Sequence, residues 1–431
     1  MSDAANTLAP VTLQAPAAAS LFRPRAIAVV GASETPGSVG RDVVENLQDR
    51  AFSGAIYPVN PKRDTLLGLP CFDSLAAIPG PVDVVAIAVP AAATVEIVRQ
   101  TGTIGAHFAI VFASGFSEAG AEGAALQEAL ADAARQGGVT VIGPNCQGFM
   151  NVADGIHVGF GPPYKLTYRP GTVGVVSQSG AFGNSVLMGL TTEGVGVRHY
   201  ISTGNEATTT ALDLIEAMVD DAHTRVVAGY IEGLSDAARL RAVAAKARKA
   251  AKPLVMWKVG RSASGAKAAA SHTASLAGDD KLYRAAFSQF GIVDVDDLAE
   301  MADCLRGLET GRTAKGPRVG VVTVSGGAGV AMADRAEALG LKLPELADGT
   351  VKALRPLLPR FASLANPVDV TAGAVMDPAA LTQTLALIAA DPNIDMLALT
   401  FAGASGKAGV AIAEAVCALH ADTDLPIAIS W

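Results

Sequence analysis

From Arg25 onward the chain repeats one local pattern, and this pattern constrains the fold more than any other feature. A short β-branched, apolar run ends in a turn of Gly, Ser, Pro or Asn, and a helix-forming stretch follows. The first instance is Ala26-Ile27-Ala28-Val29-Val30, which leads through the loop Gly31 to Gly40 into a helix expected from Asp42 to Leu47. Further runs at Ala55 to Val59, Val82 to Val89, His107 to Ala113 and Val139 to Ile142 complete a first unit near residue 150. Strands alternating with helical stretches read as βαβ units and predict parallel, doubly wound sheets.

A second series begins at Thr172 to Val176 and continues near Gly196 to Ile201, Arg225 to Ile231 and Pro253 to Val259. The charged linker Thr310 to Gly316 separates a third series that opens at Arg318 to Val322 and runs to Pro426 to Trp431. The expected organisation is a disordered leader over residues 1–20, a nucleotide-binding-type domain over 21–150, a second α/β domain over 151–310 and a third over 316–431. A final strand with nothing to cover its edge leads us to expect that the third domain is cut short at its C-terminal end.

Composition narrows the function classes. With 431 residues, 50% hydrophobic and 17% charged, the chain can bury large cores. A formal net charge of −8 argues against nucleic acid as the main partner. The Ala/Pro-rich first 18 residues lack the basic start and apolar core of a signal peptide. No apolar run reaches the roughly 18 residues that cross a bilayer, so no membrane partner is expected. Cys71, Cys146, Cys304 and Cys417 follow no metal-type spacing, which predicts no metal site and suits reduced thiols in a cytoplasm.

Two segments echo each other without a gap: Gly174 to Gly183 aligns on Gly320 to Gly329. Each places a Ser-Gly pair where a buried strand turns into a helix. Such turns serve packing alone in many α/β units. They also present free N–H groups and a helix dipole to an anion. Ser177, Gln178, Ser179 and Gly180 form one candidate phosphate turn, and Ser325, Gly326 and Gly327 the other.

The first glycine loop, with Gly31, Ser33, Gly37 and Ser38, departs from G-x-G-x-x-G. After the second strand, where a NAD domain carries Asp or Glu for the ribose, this chain has Asn60-Pro61-Lys62-Arg63. A basic residue there suits a phosphorylated ribose, as in NADP or coenzyme A, although a solvent-facing Lys-Arg pair fits the same sequence. Pro90, Ser114, Gly115 and Asn145 fall at the carboxyl ends of the later strands, where ligands lie in open parallel sheets. Cys146 reads as a small core residue rather than a nucleophile.

Ser271-His272-Thr273-Ala274-Ser275-Leu276-Ala277-Gly278 surrounds one of six histidines with small residues. An imidazole that bulky groups can reach is suited to attack on phosphorus, and the same pattern fits a plain surface loop.

Taken in order, the Gly-Ala-Ser loop, Asn-Pro-Lys, Gly-Pro-Asn-Cys-Gln-Gly, Ser-Gln-Ser-Gly, Ser-Thr-Gly-Asn-Glu, Tyr-Ile-Glu-Gly and Ser-His-Thr-Ala-Ser-Leu-Ala-Gly resemble the NDP-forming acyl-CoA synthetases, relatives of the succinyl-CoA synthetase α subunit. The resemblance runs from about residue 20 to the end of the chain. It implies a Rossmann-like CoA-binding domain followed by two flavodoxin-like domains, and a ligase that joins a small carboxylic acid to CoA with ATP, releasing ADP and phosphate. It implies that His272 is the phosphohistidine, that Glu232 orients its imidazole, and that the two Ser-Gly turns stabilise the phosphoryl group. It places Gly31, Ser33, Gly37, Ser38, Lys62, Pro90, Ser114, Gly115 and Asn145 on the CoA side, and Phe182 and Asn184 in the acid pocket. The sequence at that pocket differs from the succinate enzymes. ATP and its Mg²⁺ would be held by an ATP-grasp β subunit or C-terminal domain, for which these residues carry no motif, and an oligomer is expected. A CoA-sensing module of an acetyltransferase-type fusion and an NADP-dependent reductase are the competing classes.

Overall fold

The computed structural model describes residues 20–431 except 235, 273–278, 375, 376, 402 and 404, together with the backbone but not the side chains of 268–272, 372 and 374. The N-terminal leader and most of the Ser271 to Gly278 loop therefore lie outside the described residues. The chain forms two compact units, residues 1–309 and 310–431.

The first unit is built on two α/β sheets. One has five parallel strands in the order Ala55–Val59, Ala26–Val30, Val84–Ile87, Phe108–Val111, Thr140–Ile142. Its strands are apolar on both faces because helices cover both, and every residue of Ala26–Val30 and Val84–Ile87 is buried. The chain leaves the Ala26–Val30 strand toward one edge and returns on its other side at Val84–Ile87. A crevice opens at their carboxyl ends, where Gly31 sits at φ +83°. A Cβ on Gly31 would lie 2.5 Å from the Ala88 carbonyl oxygen, so only glycine lets the loop pass this close.

The second sheet has seven strands in the order Val293–Val295, Leu254–Lys258, Val226–Ile231, Pro170–Ser177, Val197–Ser202, Gly148–Asn151, Ile156–Gly159. The first five are parallel. The last two form an antiparallel extension paired through Ile201–Phe149 and Met150–His157. Gly148–Asn151 straddles residue 150, the expected end of the first domain, yet belongs to this second sheet. One apolar cluster runs from Leu21 and Ile27 through Phe149 to Met256 and Ile292, which ties the two sheets into a single unit.

The second unit carries a four-stranded parallel sheet in the order Val368–Asp369, Val319–Thr323, Met396–Thr400, Ile427–Ser430 around its own core. The Ile427–Ser430 strand forms one edge, with Ile429 and Trp431 exposed. Among the described residues no helix is long and apolar enough to cross a membrane. Nor do three His, Cys, Asp or Glu side chains gather as a metal site.

Candidate active site

Pro170–Ser177 is flanked by Val197–Ser202 on one side and Val226–Ile231 on the other, so the second sheet also has a switch point, at the carboxyl end of Ser177. Ser177 is fully buried. Its hydroxyl donates to the Ser179 carbonyl oxygen at 2.7 Å and shapes the turn from inside. Ser179 caps the helix Gly180–Thr192 without a side-chain hydrogen bond. Among the described residues no acceptor meets the N–H groups of Gly180, Ala181 and Phe182. These donors and the positive end of the helix dipole face the crevice, as an anion site requires. Gly183 allows the helix to lie so close: a Cβ there would come within 2.4 Å of the Ser177 hydroxyl.

Gln178 is a clasp rather than an exposed phosphate ligand. Its Oε1 accepts the N–H of Glu232 at 2.6 Å and of Gly233 at 3.0 Å, and its Nε2 donates to the Gly233 carbonyl at 2.8 Å. The same Nε2 donates to Glu206 Oε1 at 3.0 Å. The Glu232 turn and the Ser179 turn are thus held by one side-chain amide with all its hydrogen-bonding capacity in use. Glu232 is half-buried, and its charge adds to burial in raising the Tyr230 phenol to about 12. Lys258, at the end of the neighbouring strand, is buried over the Tyr283 ring, and that burial lowers its pKa. After Lys258 the chain turns into the helix Ala263–His272. The backbone of His272 therefore follows the strand beside Glu232, while its side chain lies outside the described residues.

Glu206, which sequence reasoning passed over, stands at the centre of the site. It follows Val197–Ser202 with φ +57°, and its Oε1 also accepts from the Thr203 hydroxyl at 2.9 Å and the Ala211 N–H at 3.0 Å. Burial pushes its carboxyl up to about 7 against the lowering effect of these hydrogen bonds. The only signal in the sequence was the Gly-Asn-Glu that ends a buried strand at a sheet's carboxyl edge.

The residues expected on the CoA side lie along the first sheet's carboxyl edge. The Gly31 N–H donates to Val59 O at 3.2 Å, and Asn60 Nδ2 to Ala32 O at 2.8 Å, which joins the glycine loop to the Asn-Pro-Lys turn. Ser33 accepts the Thr35 N–H, and Ser38 donates to the Thr35 carbonyl, so both shape the loop; Gly37 is open on all sides. Of the two basic residues, Arg63 is paired with Glu34 at 2.8 Å. Lys62 is exposed and has no ion-pair partner among the described residues. Pro90 caps the helix Ala91–Thr103.

Ser114 and Gly115 are exposed, and Glu118 holds their loop by accepting the Gly115 N–H at 2.6 Å. Burial opposes ionisation of Glu118, but hydrogen bonds from Asn205 and Gly115 outweigh it and keep the carboxyl low. Asn205 also accepts from Asn145 Nδ2 at 3.2 Å, so the carboxyl edge of the first sheet and the 203–206 loop are directly linked. Cys146 is buried with its thiol pushed up to about 12, an unreactive core position.

Phe182 and Asn184 have different neighbours. Two residues apart on a helix, they point to different faces. Phe182 is 45% exposed and packs on Tyr230 and Trp257 at 5.0 and 5.7 Å between ring centroids. Asn184 is buried, with Nδ2 3.4 Å from Gln147 Oε1.

The second unit repeats the Ser177 construction within itself. Thr323 Oγ1 donates to the Ser325 carbonyl at 2.8 Å, and Ser325 caps Gly326–Ala338 without a side-chain hydrogen bond. Gly326 and Gly327 are exposed at that turn.

Known proteins bear on the same regions. Residues 25–152 match a CoA binding domain, 170–308 a succinyl-CoA ligase like flavodoxin domain, and 319–422 a ligase-CoA domain. The chain is 38% identical over 387 residues to the acetate–CoA ligase [ADP-forming] II subunit alpha of Pyrococcus furiosus, covering 89% of this chain and 83% of that one. It is 37% identical to a trans-feruloyl-CoA synthase of an unknown prokaryotic organism, covering 87% of this chain but 53% of that longer protein. A dinucleotide forming acetyl-coenzyme A synthetase 1 of Ca. Korarchaeum cryptofilum, solved with phosphate and ADP, superposes with a TM-score of 0.88 at 31% identity, covering 95% of this chain and 88% of that one. With its three matched domains in this order and its carboxyl-edge turns built as described, the chain belongs to the ADP-forming acid–CoA ligases, as a chain of the α-subunit type.

Proposed function

We propose that this chain carries the acyl- and CoA-handling half of the reaction in which a small carboxylic acid, CoA and ATP give acyl-CoA, ADP and phosphate. The γ-phosphoryl group of ATP passes to a ring nitrogen of His272. The carboxylate oxygen of the acid then takes it as an acyl phosphate, and the CoA sulfur attacks the acyl carbon and expels phosphate. Glu232 holds one ring nitrogen of His272 so that the other is nucleophilic. The open N-terminus at Gly180 stabilises the phosphoryl oxygens, and the Ser325 to Gly327 turn is a phosphate-binding turn of the same construction within its own unit. Gly31, Ser33, Gly37, Ser38, Pro90, Ser114, Gly115 and Asn145 line the CoA site, with Lys62 on its 3′-phosphate. ATP and Mg²⁺ are held by an ATP-grasp module, on a β subunit or a further domain, in an oligomeric enzyme.

One observation carries this reading. The Gln178 amide ties the free helix N-terminus to the Glu232 turn at the sheet's switch point, two strands from the start of the His272 helix. The test is to incubate the chain with an ATP-grasp partner and Mg-ATP labelled in the γ position. A base-stable, acid-labile label should appear and vanish in His272→Asn. Label at full level in that variant, or AMP as the product, refutes the proposal.

A further inference from the structure

Resting on the ligase reading, we propose that Glu206 is the base that takes the proton of the CoA thiol as the thioester forms. Four observations converge on it. First, it lies at the seam of the two chemistries. Its chain neighbour Asn205 bonds to Asn145 and Glu118 on the CoA edge, and Glu206 itself accepts from Gln178 of the phosphate turn. The 203–206 loop is seated on the first domain, since the Asn205 N–H donates to Pro144 O at 2.9 Å and a Cβ on Gly204 would lie 2.1 Å from that same oxygen.

Second, the carboxylate is held from one side only. All three of its hydrogen bonds end on Oε1, and Oε2 accepts none from the described residues. A carboxylate with one anchored and one open oxygen is oriented and still able to receive a proton. Third, its neighbours are committed elsewhere. Glu118 holds Gly115 and Asn205 with its two oxygens. Asp213 caps its own helix and bonds to Arg239 at 3.0 Å. Fourth, burial, reinforced by the charge of Asp213, lifts the Glu206 carboxyl to about 7, close to the working pH a general base needs. The other charged groups around it act at one remove, Glu118 through Asn205 and Glu232 through Gln178.

In the step itself the S–H proton moves to Glu206 Oε2, the sulfur lone pair forms the C–S bond, and the C–O bond to phosphate breaks with its electrons on the departing phosphate. The proton returns to solvent before the next turnover.

The test separates this step from phosphoryl transfer. Acetyl phosphate and benzoyl phosphate are offered to the full chain, first without CoA to follow phosphorylation of His272, then with CoA to follow thioester formation. Glu206→Gln should slow thioester formation about 100-fold or more, remove its acid limb near pH 7, and change His272 phosphorylation by less than about threefold. At pH 9, where a thiol of pKa about 8.5 ionises unaided, the variant should recover most of the wild-type rate, which a misfolded protein could not do. Equal slowing of both steps would make Glu206 a holding residue acting through Gln178, and unchanged thioester formation would dismiss it; either overturns the proposal. If neither acyl phosphate labels His272 in the wild type, the ligase reading itself falls and takes this role with it.

Discussion

At the scale of single residues, the contrast between Lys62 and Arg63 shows how partners decide availability. Both are exposed, but a guanidinium already paired with Glu34 has less to offer a ligand than an ammonium without an ion pair among the described residues. An exposed cation facing a phosphate gains only modestly in water, of the order of 1 kcal/mol. Lys62→Ala should therefore weaken CoA binding about fivefold and leave dephospho-CoA binding unchanged, as read by calorimetry. An equal loss for both ligands would remove the contact with the 3′-phosphate. Cys146 teaches the converse. Its burial raises the thiol to about 12, so it stays protonated at any working pH and serves packing.

Among the elements, the two Ser-Gly turns matter because each helix begins where a strand ends, with no side chain closing the helix N-terminus. The turn depends on a tight approach of helix to strand, and Gly183 is its hinge point. A methyl group there would sit 2.4 Å from the Ser177 hydroxyl and 2.7 Å from the Tyr200 hydroxyl, both of them buried. Gly183→Ala should cost about 1–3 kcal/mol in denaturant unfolding. It should also lower the affinity of the site for inorganic phosphate by tilting the first turn. The equivalent Gly329 is less crowded, with its nearest contact at 3.1 Å, so Gly329→Ala should cost less. A larger loss at Gly329 than at Gly183 would contradict this packing account.

For the whole molecule, two groups of the first unit, His199 and Glu206, tie stability to pH with opposite signs. His199 is fully buried against Phe22 and Asp221, and burial lowers its pKa. The unfolded chain therefore binds more protons below about pH 6.5, and this contribution is lost as pH falls. Glu206 is raised to about 7, so the folded state binds the extra proton. Its contribution is complete below the ordinary carboxyl range and is lost as pH rises through about 7. His199 is common to wild type and Glu206→Gln, so their difference isolates Glu206. Calorimetry from pH 5 to 8 should show the variant gaining on the wild type as pH rises. A difference independent of pH would mean that Glu206 titrates like an ordinary surface carboxylate.

How much of this was legible beforehand follows from the range of each interaction. Strand and helix alternation is a property of chain neighbours, so the parallel α/β class, the parallel strands from Ala26–Val30 to Leu254–Lys258 and the two turns at Ser179 and Ser325 were readable from local pattern, whereas the short Thr65–Leu66 and Leu69–Pro70 pair and the antiparallel Gly148–Asn151 and Ile156–Gly159 strands were not. Motif order carried the family. Which side chains meet within each unit depends on the folded chain. The Gly148–Asn151 strand joins the second sheet by pairing with Val197–Ser202, more than 40 residues downstream, and Ile156–Gly159 then pairs with Gly148–Asn151 at the sheet's edge. Phe182 and Asn184, two positions apart in the sequence, part because a helix turns about 100° per residue. Gln178 clasps Glu232 across 54 residues and Glu206 across 28, a pairing that depends on strand order and on the positive φ of Glu206. Local pattern sets the elements, but a hydrogen bond between distant loops exists only once the sheets have brought their carboxyl ends together.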